Sequence, residues 1–183
     1  MEAKSCSIDG EPVTTRLAGR MEDTMQAFAV RAACFIGEQG VPYSEEFDGQ
    51  DFGASHLVAY LGNEPVGTLR IRWFQSFAMP ERLAVMQRFR QRRIGQLLLE
   101  RARGLAESRG CNILYTRVAP DQAIYFERQG WRRIDDGRTP GSLPTVALVR
   151  AVDPAKESAE IAETDALALS AQYRLGMPGN TIG

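Results

Sequence analysis

The sequence predicts an α/β protein: a central mixed β-sheet flanked by helices, with a helical extension at the C-terminus. Three patterns carry that expectation. A hairpin rich in β-branched and aromatic residues lies between Ser55 and Phe74, a strand–helix–strand run lies between Arg82 and Val118, and an amphipathic helix precedes both. A chain of 183 residues has room for one main core, so residues 1–152 are expected to form a single domain and residues 153–183 a helical tail.

Val13 to Ala18 reads as a short strand. Asp23 is placed to cap a helix on which Met25, Phe28, Ala29, Ala32 and Ile36 recur on one face. Gly37 and Gly40-Val41-Pro42 end it, and an acidic loop with Glu45, Glu46, Asp48 and Asp51 follows. Ser55 to Leu61 and Val66 to Phe74 are antiparallel strands joined by a turn at Gly62-Asn63-Glu64-Pro65. After a loose stretch from Gln75 to Pro80, Arg82-Leu83-Ala84-Val85 is a short buried strand. A helix then runs from Ile94 to Arg109, with Ile94, Leu97, Leu98, Ala102, Leu105 and Ala106 on its apolar stripe and Gly110 as its stop. Asn112 to Val118 is strand-like again, which makes a βαβ unit with parallel strands and a right-handed crossover. Asp121 is placed to cap a short helix ending at Gly130. Trp131 to Ile134 and Thr145 to Val152 are strands with a turn-rich loop between them. Ala155 to Leu175 carries Ile161, Leu167, Leu169 and Leu175 among Ala and Glu, a helix that is either solvated or docked on the domain or on a second copy of the chain. A homodimer is thus one expected arrangement.

Composition narrows the function classes. With 22 Lys+Arg against 23 Asp+Glu the formal charge is −1, which argues against a protein whose main work is neutralising a nucleic-acid backbone. Cys6, Cys34 and Cys111 form no paired-thiol motif, so neither a disulfide framework nor a metal site is expected. The start of the chain lacks the pattern of a secretory leader, and no apolar run approaches the roughly 18 residues of a membrane span. A reducing cytoplasm is the expected compartment.

The charges are unevenly placed. Between Arg82 and Leu99 stand Arg82, Arg88, Arg90, Arg92 and Arg93 with no acid. Most of them fall where a strand ends and a helix begins, so they join the free N–H groups and positive dipole end of that helix. Gly95 lets an anion approach the backbone in the first turn. Phosphate suits such a place, and a solvated basic turn is the plainer alternative.

The run Glu81-Arg82-Leu83-Ala84-Val85, then Arg90-Gln91-Arg92-Arg93-Ile94-Gly95 opening a helix, then Tyr125-Phe126-Glu127-Arg128-Gln129-Gly130-Trp131, resembles the GNAT superfamily of acyl-CoA-dependent N-acyltransferases. The resemblance runs from about Val13 to Val152. Two departures stand out: Arg93 occupies the place of the first glycine of the family's phosphate loop, and the late signature is transposed, with Phe126 at the family's tyrosine and Tyr125 before it. Adjacent helical residues point about 100° apart, so Tyr125 does not simply replace that tyrosine. The segment from Arg31 to Pro42, with Glu46-Phe47-Asp48 and Gly67-Thr68-Leu69-Arg70, is similar to one bacterial branch of the superfamily.

The resemblance implies acetyl-CoA as cosubstrate and direct transfer to a small primary amine, without an acyl-enzyme. It implies that backbone groups of Leu83, Ala84 and Val85 hold the pantetheine arm and polarise the thioester carbonyl. The amides of Arg90, Gln91, Arg92, Arg93, Ile94, Gly95 and Gln96 would hold the pyrophosphate. For a base, Glu81 and Glu38 are the candidates, and Tyr125 is the candidate proton donor to the departing thiolate. His56 reads as a packed or solvated strand residue, and Cys34 and Cys111 as small core residues. The acidic loop hints at a cationic acceptor such as a polyamine or an aminated sugar. Two alternatives remain open: an enzyme like the acyl-homoserine lactone synthases, which Arg31, Phe35, Asp48, Asp51 and Arg70 resemble in type and partly in spacing, and a non-catalytic module that binds CoA.

Overall fold

The computed structural model describes residues 6–135, 145–153 and 155. The expected C-terminal helix and most of the loop before the last strand fall outside the described residues. By its internal contacts the chain forms two compact units, Met1–Arg72 with Pro80–Ala102, and Trp73–Met79 with Arg103–Gly183.

In the first unit, strands β1 (Cys6–Ile8) and β2 (Glu11–Leu17) form a hairpin. Its turn, Asp9-Gly10, has φ of 51° and 86°, the left-handed pair that suits the twist of two joined strands. The sequence reading placed only the second arm. Helix α1 (Met21–Arg31) begins two residues before Asp23. Asp23 is not the cap: it lies within the first turn, where its Oδ2 accepts from the Gly19 and Arg20 amides at 3.2 Å each. A π-helical stretch, Ala32–Glu38, continues α1. The buried face holds Ala27, Val30, Arg31 and Cys34, while Met25 is 62% exposed, so the expected stripe is displaced around the helix. Hydropathy missed that face because one of its members is an arginine buried by charge pairing. A short helix α2 (Tyr43–Glu46) opens the acidic loop.

Strands β3 (Ser55–Leu61) and β4 (Glu64–Trp73) pair antiparallel, with Leu61 opposite Glu64. The turn is therefore shorter than expected, and Glu64 and Pro65 belong to the strand. Strand β5 (Phe77–Val85) is longer than the predicted Arg82 to Val85, because Phe77, Ala78 and Met79 are buried strand residues despite the following Pro80. Helix α3 (Ile94–Ser108) matches its predicted span to one residue. Its start packs on β4 through Gly67, where an added Cβ would lie 3.0 Å from Ile94 Cγ2 and 3.2 Å from the Ala84 carbonyl oxygen. A side chain there would displace the helix.

In the second unit, the start of β5 pairs in parallel with β6 (Ile113–Val118), Phe77 opposite Ile113, as the βαβ expectation requires. Strand β8 (Val146–Ala151) runs antiparallel to β6, and β7 (Arg132–Ile134) antiparallel to β8. Phe77, Met79, Ile113, Tyr115, Ala147 and Val149 form its apolar cluster. Helix α4 (Pro120–Glu127) starts with proline in its first turn, where a missing N–H costs nothing, so Ala119 is its N-cap and Asp121 lies inside the first turn rather than capping it. The strands are ordered β1-β2-β3-β4-β5-β6-β8-β7, a mixed sheet with helices and hence the expected α/β class. No helix among the described residues is long and apolar enough to cross a membrane.

Candidate active site

Arg90 to Gln96 form the turn into α3. Gln91 and Arg93 have φ of 66° and 60°, so two non-glycine residues on either side of Arg92 take the left-handed conformation. Backbone of alternating hand turns successive N–H groups toward one concavity, the arrangement that cradles anions. The Arg93 carbonyl accepts the Leu97 amide at 3.0 Å, so the amides of Ile94, Gly95 and Gln96 have no acceptor inside the helix. Ile94 and Gly95 are buried, whereas Gln91, Arg92 and Arg93 are exposed. Arg93 Nε donates to Gln96 Oε1 at 3.0 Å, laying the guanidinium along the first turn. The Cys6 thiol donates to the Arg92 carbonyl at 2.7 Å, tying the N-terminal hairpin to the loop. These residues fit a diphosphate: exposed cations surround amides that need an acceptor.

Arg90 reaches in the other direction. Its Nε donates to the Val85 carbonyl at 3.0 Å and its Nη2 to Glu38 Oε2, so it joins the end of β5 to the end of the π-helical stretch. Beneath them Cys34 packs with Val30 and Ala84, with Phe35 and Met86 at the border. Burial, then the Glu38 charge, pushes the Cys34 thiol up, which keeps it protonated and inert.

The centre of this unit is a buried ion-pair network that joins Arg31, Asp48, Asp51 and Arg70, grouped in the sequence only by resemblance, with Glu46, Arg72 and Glu81. Arg31, wholly buried, donates from Nε to Glu46, from Nη1 to Asp51 at 2.5 Å and from Nη2 to the Glu46 carbonyl at 2.9 Å. Arg70 holds Asp48 in a fork, 2.7 Å from each oxygen, and donates from Nε to Glu81 at 2.9 Å. Arg72 Nε reaches the same Glu81 oxygen at 2.6 Å and its Nη1 the Gln50 side chain at 3.1 Å. Burial works to raise the Asp48 carboxyl, but the Arg70 hydrogen bonds and charge, with Arg82 behind them, outweigh it and bring it down to about 2. Asp51 is lowered in the same way, burial being overcome by Arg31 and Arg70. His56 sits edge-on to Phe28 with Nε2 3.3 Å from the Asp51 carbonyl, and burial, reinforced by the Arg31 and Arg70 charges, holds its pKa below the ordinary value. The signal that would have found this network is Thr68, Arg70 and Arg72, polar residues at every second position of an otherwise apolar strand.

Glu81 and Glu38 are thus both ion-paired, in different surroundings: Glu81 with Arg70 and Arg72 in the network, Glu38 with exposed Arg90. In the second unit, Phe126 is buried against Trp131, edge to face at 5.5 Å, and Tyr125 beside it is 40% exposed. Burial raises the Tyr125 hydroxyl's pKa, so the hydroxyl is protonated at neutral pH. Among the described residues no three of His, Cys, Asp and Glu are grouped to hold a metal ion.

The sequence profile of the Acetyltransferase (GNAT) family matches residues 24–131. The chain belongs to the GNAT acetyltransferase family. A Bacillus subtilis (strain 168) protein named as an acetyltransferase is 28% identical over 137 residues, covering 73% of this chain and 93% of its own. The uncharacterized N-acetyltransferase YjcF of the same organism is 27% identical over 120 residues, 66% of this chain and 86% of its own. Among solved structures, an acyl-CoA N-acyltransferase from Pseudomonas aeruginosa shares the fold, with TM-score 0.65 and 22% identity over 76% of this chain and 98% of that one. An aminoglycoside 6'-N-acetyltransferase complexed with coenzyme A shares it too, with TM-score 0.62 and 12% identity over 78% and 97%. This GNAT chain is accordingly an acyltransferase.

Proposed function

We propose that the protein moves an acetyl group from acetyl-CoA to the primary amine of a small molecule, by direct attack within a ternary complex in the cytoplasm. The observation that carries this reading is the α3 entry loop, in which Arg92 and Arg93 surround left-handed backbone and unaccepted amides in a chain of the GNAT family. In this reading the amides of Arg90 to Gln96 hold the pyrophosphate, and backbone groups of Leu83 to Val85 hold the pantetheine arm and draw charge from the thioester oxygen. The amine nitrogen bonds to the acyl carbon, the carbon–sulfur bond breaks, and the amine's proton passes to a carboxylate directly or through water. Glu81 Oε1 already accepts from two guanidiniums, so its Oε2, with only a 3.5 Å contact from Arg72 Nη2, is the oxygen with room for a proton. Glu38 is the other candidate. Tyr125 returns a proton to the thiolate.

The acidic loop supports a polycationic acceptor less than its composition suggests. Glu46, Asp48 and Asp51 are matched by Arg31, Arg70 and Arg82, which leaves Glu45 as its exposed acid. A panel of amines incubated with acetyl-CoA, followed by release of free thiol, tests the reading; thiol release with none of them, despite CoA binding, would turn it into a binding module. That Arg31, Asp48, Asp51 and Arg70 share one network also sustains the acyl-homoserine lactone synthase-like alternative, and long-chain acyl-CoA donors in the same assay separate the two. Removing the Tyr125 hydroxyl in Tyr125→Phe is expected to lower turnover about a hundredfold with little change in acetyl-CoA affinity. A fall below about threefold would assign the proton to water instead.

A further inference from the structure

Strand β5 carries one residue more than its partner. The Phe74 amide donates to the Phe77 carbonyl at one end of the β4–β5 pair, and the Met86 amide to the Val66 carbonyl at the other, both at 3.0 Å. From Val66 to Phe74 is eight steps along the chain and from Phe77 to Met86 nine, the mark of a one-residue bulge. Arg82 is the β5 residue in the left-handed region, with φ of 51°, a conformation that a side chain disfavours.

The bulge has a visible effect on the side chains. In an unbroken strand residues 81 and 82 face opposite sides of the sheet. Here both enter the same network: Glu81 accepts from Arg70 Nε at 2.9 Å, and Arg82 Nη2 donates at 3.2 Å to Asp48 Oδ2, whose carboxylate Arg70 also grips. Arg82 Nη2 donates to the Glu45 carbonyl at 2.5 Å, and its Nε lies 3.4 Å from Glu46 Oε2, an ion-pair contact between two buried atoms that have no hydrogen-bond partner among the described residues. Intrinsic preference disfavours the left-handed region at residue 82, and its guanidinium makes two hydrogen bonds and one ion-pair contact to residues 45–48.

We infer that Arg82 is a positioning residue, its guanidinium pinned on the acidic loop so as to hold the β5 bulge that presents the backbone of Leu83 to Val85 to an acyl-CoA arm. The inference rests on the reading of that backbone proposed above. It makes the loop at residues 45–51 and the cosubstrate strand one mechanical piece, so that a change in the loop is felt as a change in acyl-CoA binding.

Arg82→Val removes the guanidinium and favours extended backbone, Arg82→Asn removes the guanidinium but tolerates the left-handed region, and Asp48→Asn weakens the anchor without touching β5. In the full chain, amide hydrogen exchange of the free protein over residues 80–86 is expected to quicken in Arg82→Val and in Asp48→Asn. Calorimetry with CoA should show at least tenfold weaker binding for Arg82→Val and a smaller loss for Arg82→Asn and Asp48→Asn. The Arg82→Asn/Asp48→Asn double variant should bind no more weakly than Arg82→Asn alone. With an active acceptor, the acetyl-CoA KM rises while kcat holds. Exchange over 80–86 unchanged in both Arg82→Val and Asp48→Asn, or a lowered melting temperature with CoA affinity intact, overturns the inference. Absence of CoA binding by the unaltered protein would instead overturn the acyl-CoA reading, which the exchange measurement does not depend on.

Discussion

Two arginine-rich regions of this chain use the same side chain to opposite ends. In the α3 entry loop the guanidiniums are wet: Arg88, Arg90 and Arg92 are 62%, 43% and 44% exposed, and Arg92 has an aspartate only at 3.7 Å. In the network around β4, Arg31 and Arg70 are 0% and 1% exposed, and each is gripped by carboxylates at hydrogen-bonding distance. In the first group Arg88 and Arg90 share their charge with Glu64 and Glu38 at the surface and Arg92 keeps its valence for a ligand; the second group has spent it internally. Buried charge that is fully paired is structural capital, and breaking one member leaves the others uncompensated. Exposed charge contributes little to folding and is free to bind.

The largest expected effect follows from the buried side. Arg31→Ala takes the guanidinium from Glu46 Oε1 and leaves Asp51 with Arg70 alone, and its cost should be about 3–5 kcal/mol in denaturant unfolding; a loss under about 1 kcal/mol would mean the network is solvated and the contrast false. On the exposed side, Arg92→Ala should remove about 1.5–3 kcal/mol of CoA binding while leaving the unfolding midpoint in place. Equal effects of the two substitutions on stability would erase the distinction between the regions.

Acid separates the regions more gently. A neutral, buried His56 whose folded pKa is depressed makes the unfolded state the better proton acceptor, so stability begins to fall as pH drops below about 6.5. Asp48, brought down to about 2, contributes stability that is full above about 3.8 and is lost as pH falls through about 2, and Asp51, also depressed, adds a contribution that begins to be lost below about 3.8. For Asp48, whose carboxyl is partly wetted, that is on the order of 1 kcal/mol. Thermal melts from pH 8 to pH 2 should therefore show the two-stage decline in the unaltered chain and a shallower lower stage in Asp48→Asn.

The same contrast explains what was legible in the sequence. Clustered arginines before Ile94 were visible because the whole site lies within a few consecutive residues, and the α3 and β6 spans followed from local periodicity. Of the network, Arg31, Asp48, Asp51 and Arg70 were legible only as a resemblance; that they meet Glu46 and Glu81 as buried ion pairs was not, since the pairing of β3 with β4 and the path of the acidic loop bring them together. For that reason the acidic loop read as a lure for cations when most of its acids already have arginine partners. Arg31 also misled the helical-face reading, because a hydropathy stripe cannot include a residue buried by its charge. The β1–β2 hairpin had a plain Asp-Gly turn signal and was overlooked for the shortness of its first arm.

The smallest effect sharpens the comparison most, because it tests whether the exposed loop uses its extra cation. Arg93 takes φ of 60° at the position where the family resemblance has a glycine, so it carries strain that glycine would not. Arg93→Gly relieves that strain, but it also makes the unfolded chain freer and removes the contact to Gln96, so stability should rise by only about 0.5 kcal/mol or stay level. CoA affinity, by contrast, should fall about twofold to fivefold, less than for Arg92→Ala because the Arg93 guanidinium already donates to Gln96. If the strain is retained because the guanidinium serves the phosphates, the fall disappears with a CoA analogue stripped of phosphate. Tighter CoA binding by Arg93→Gly would show that the loop works best with an open backbone and that Arg93 is tolerated there rather than used.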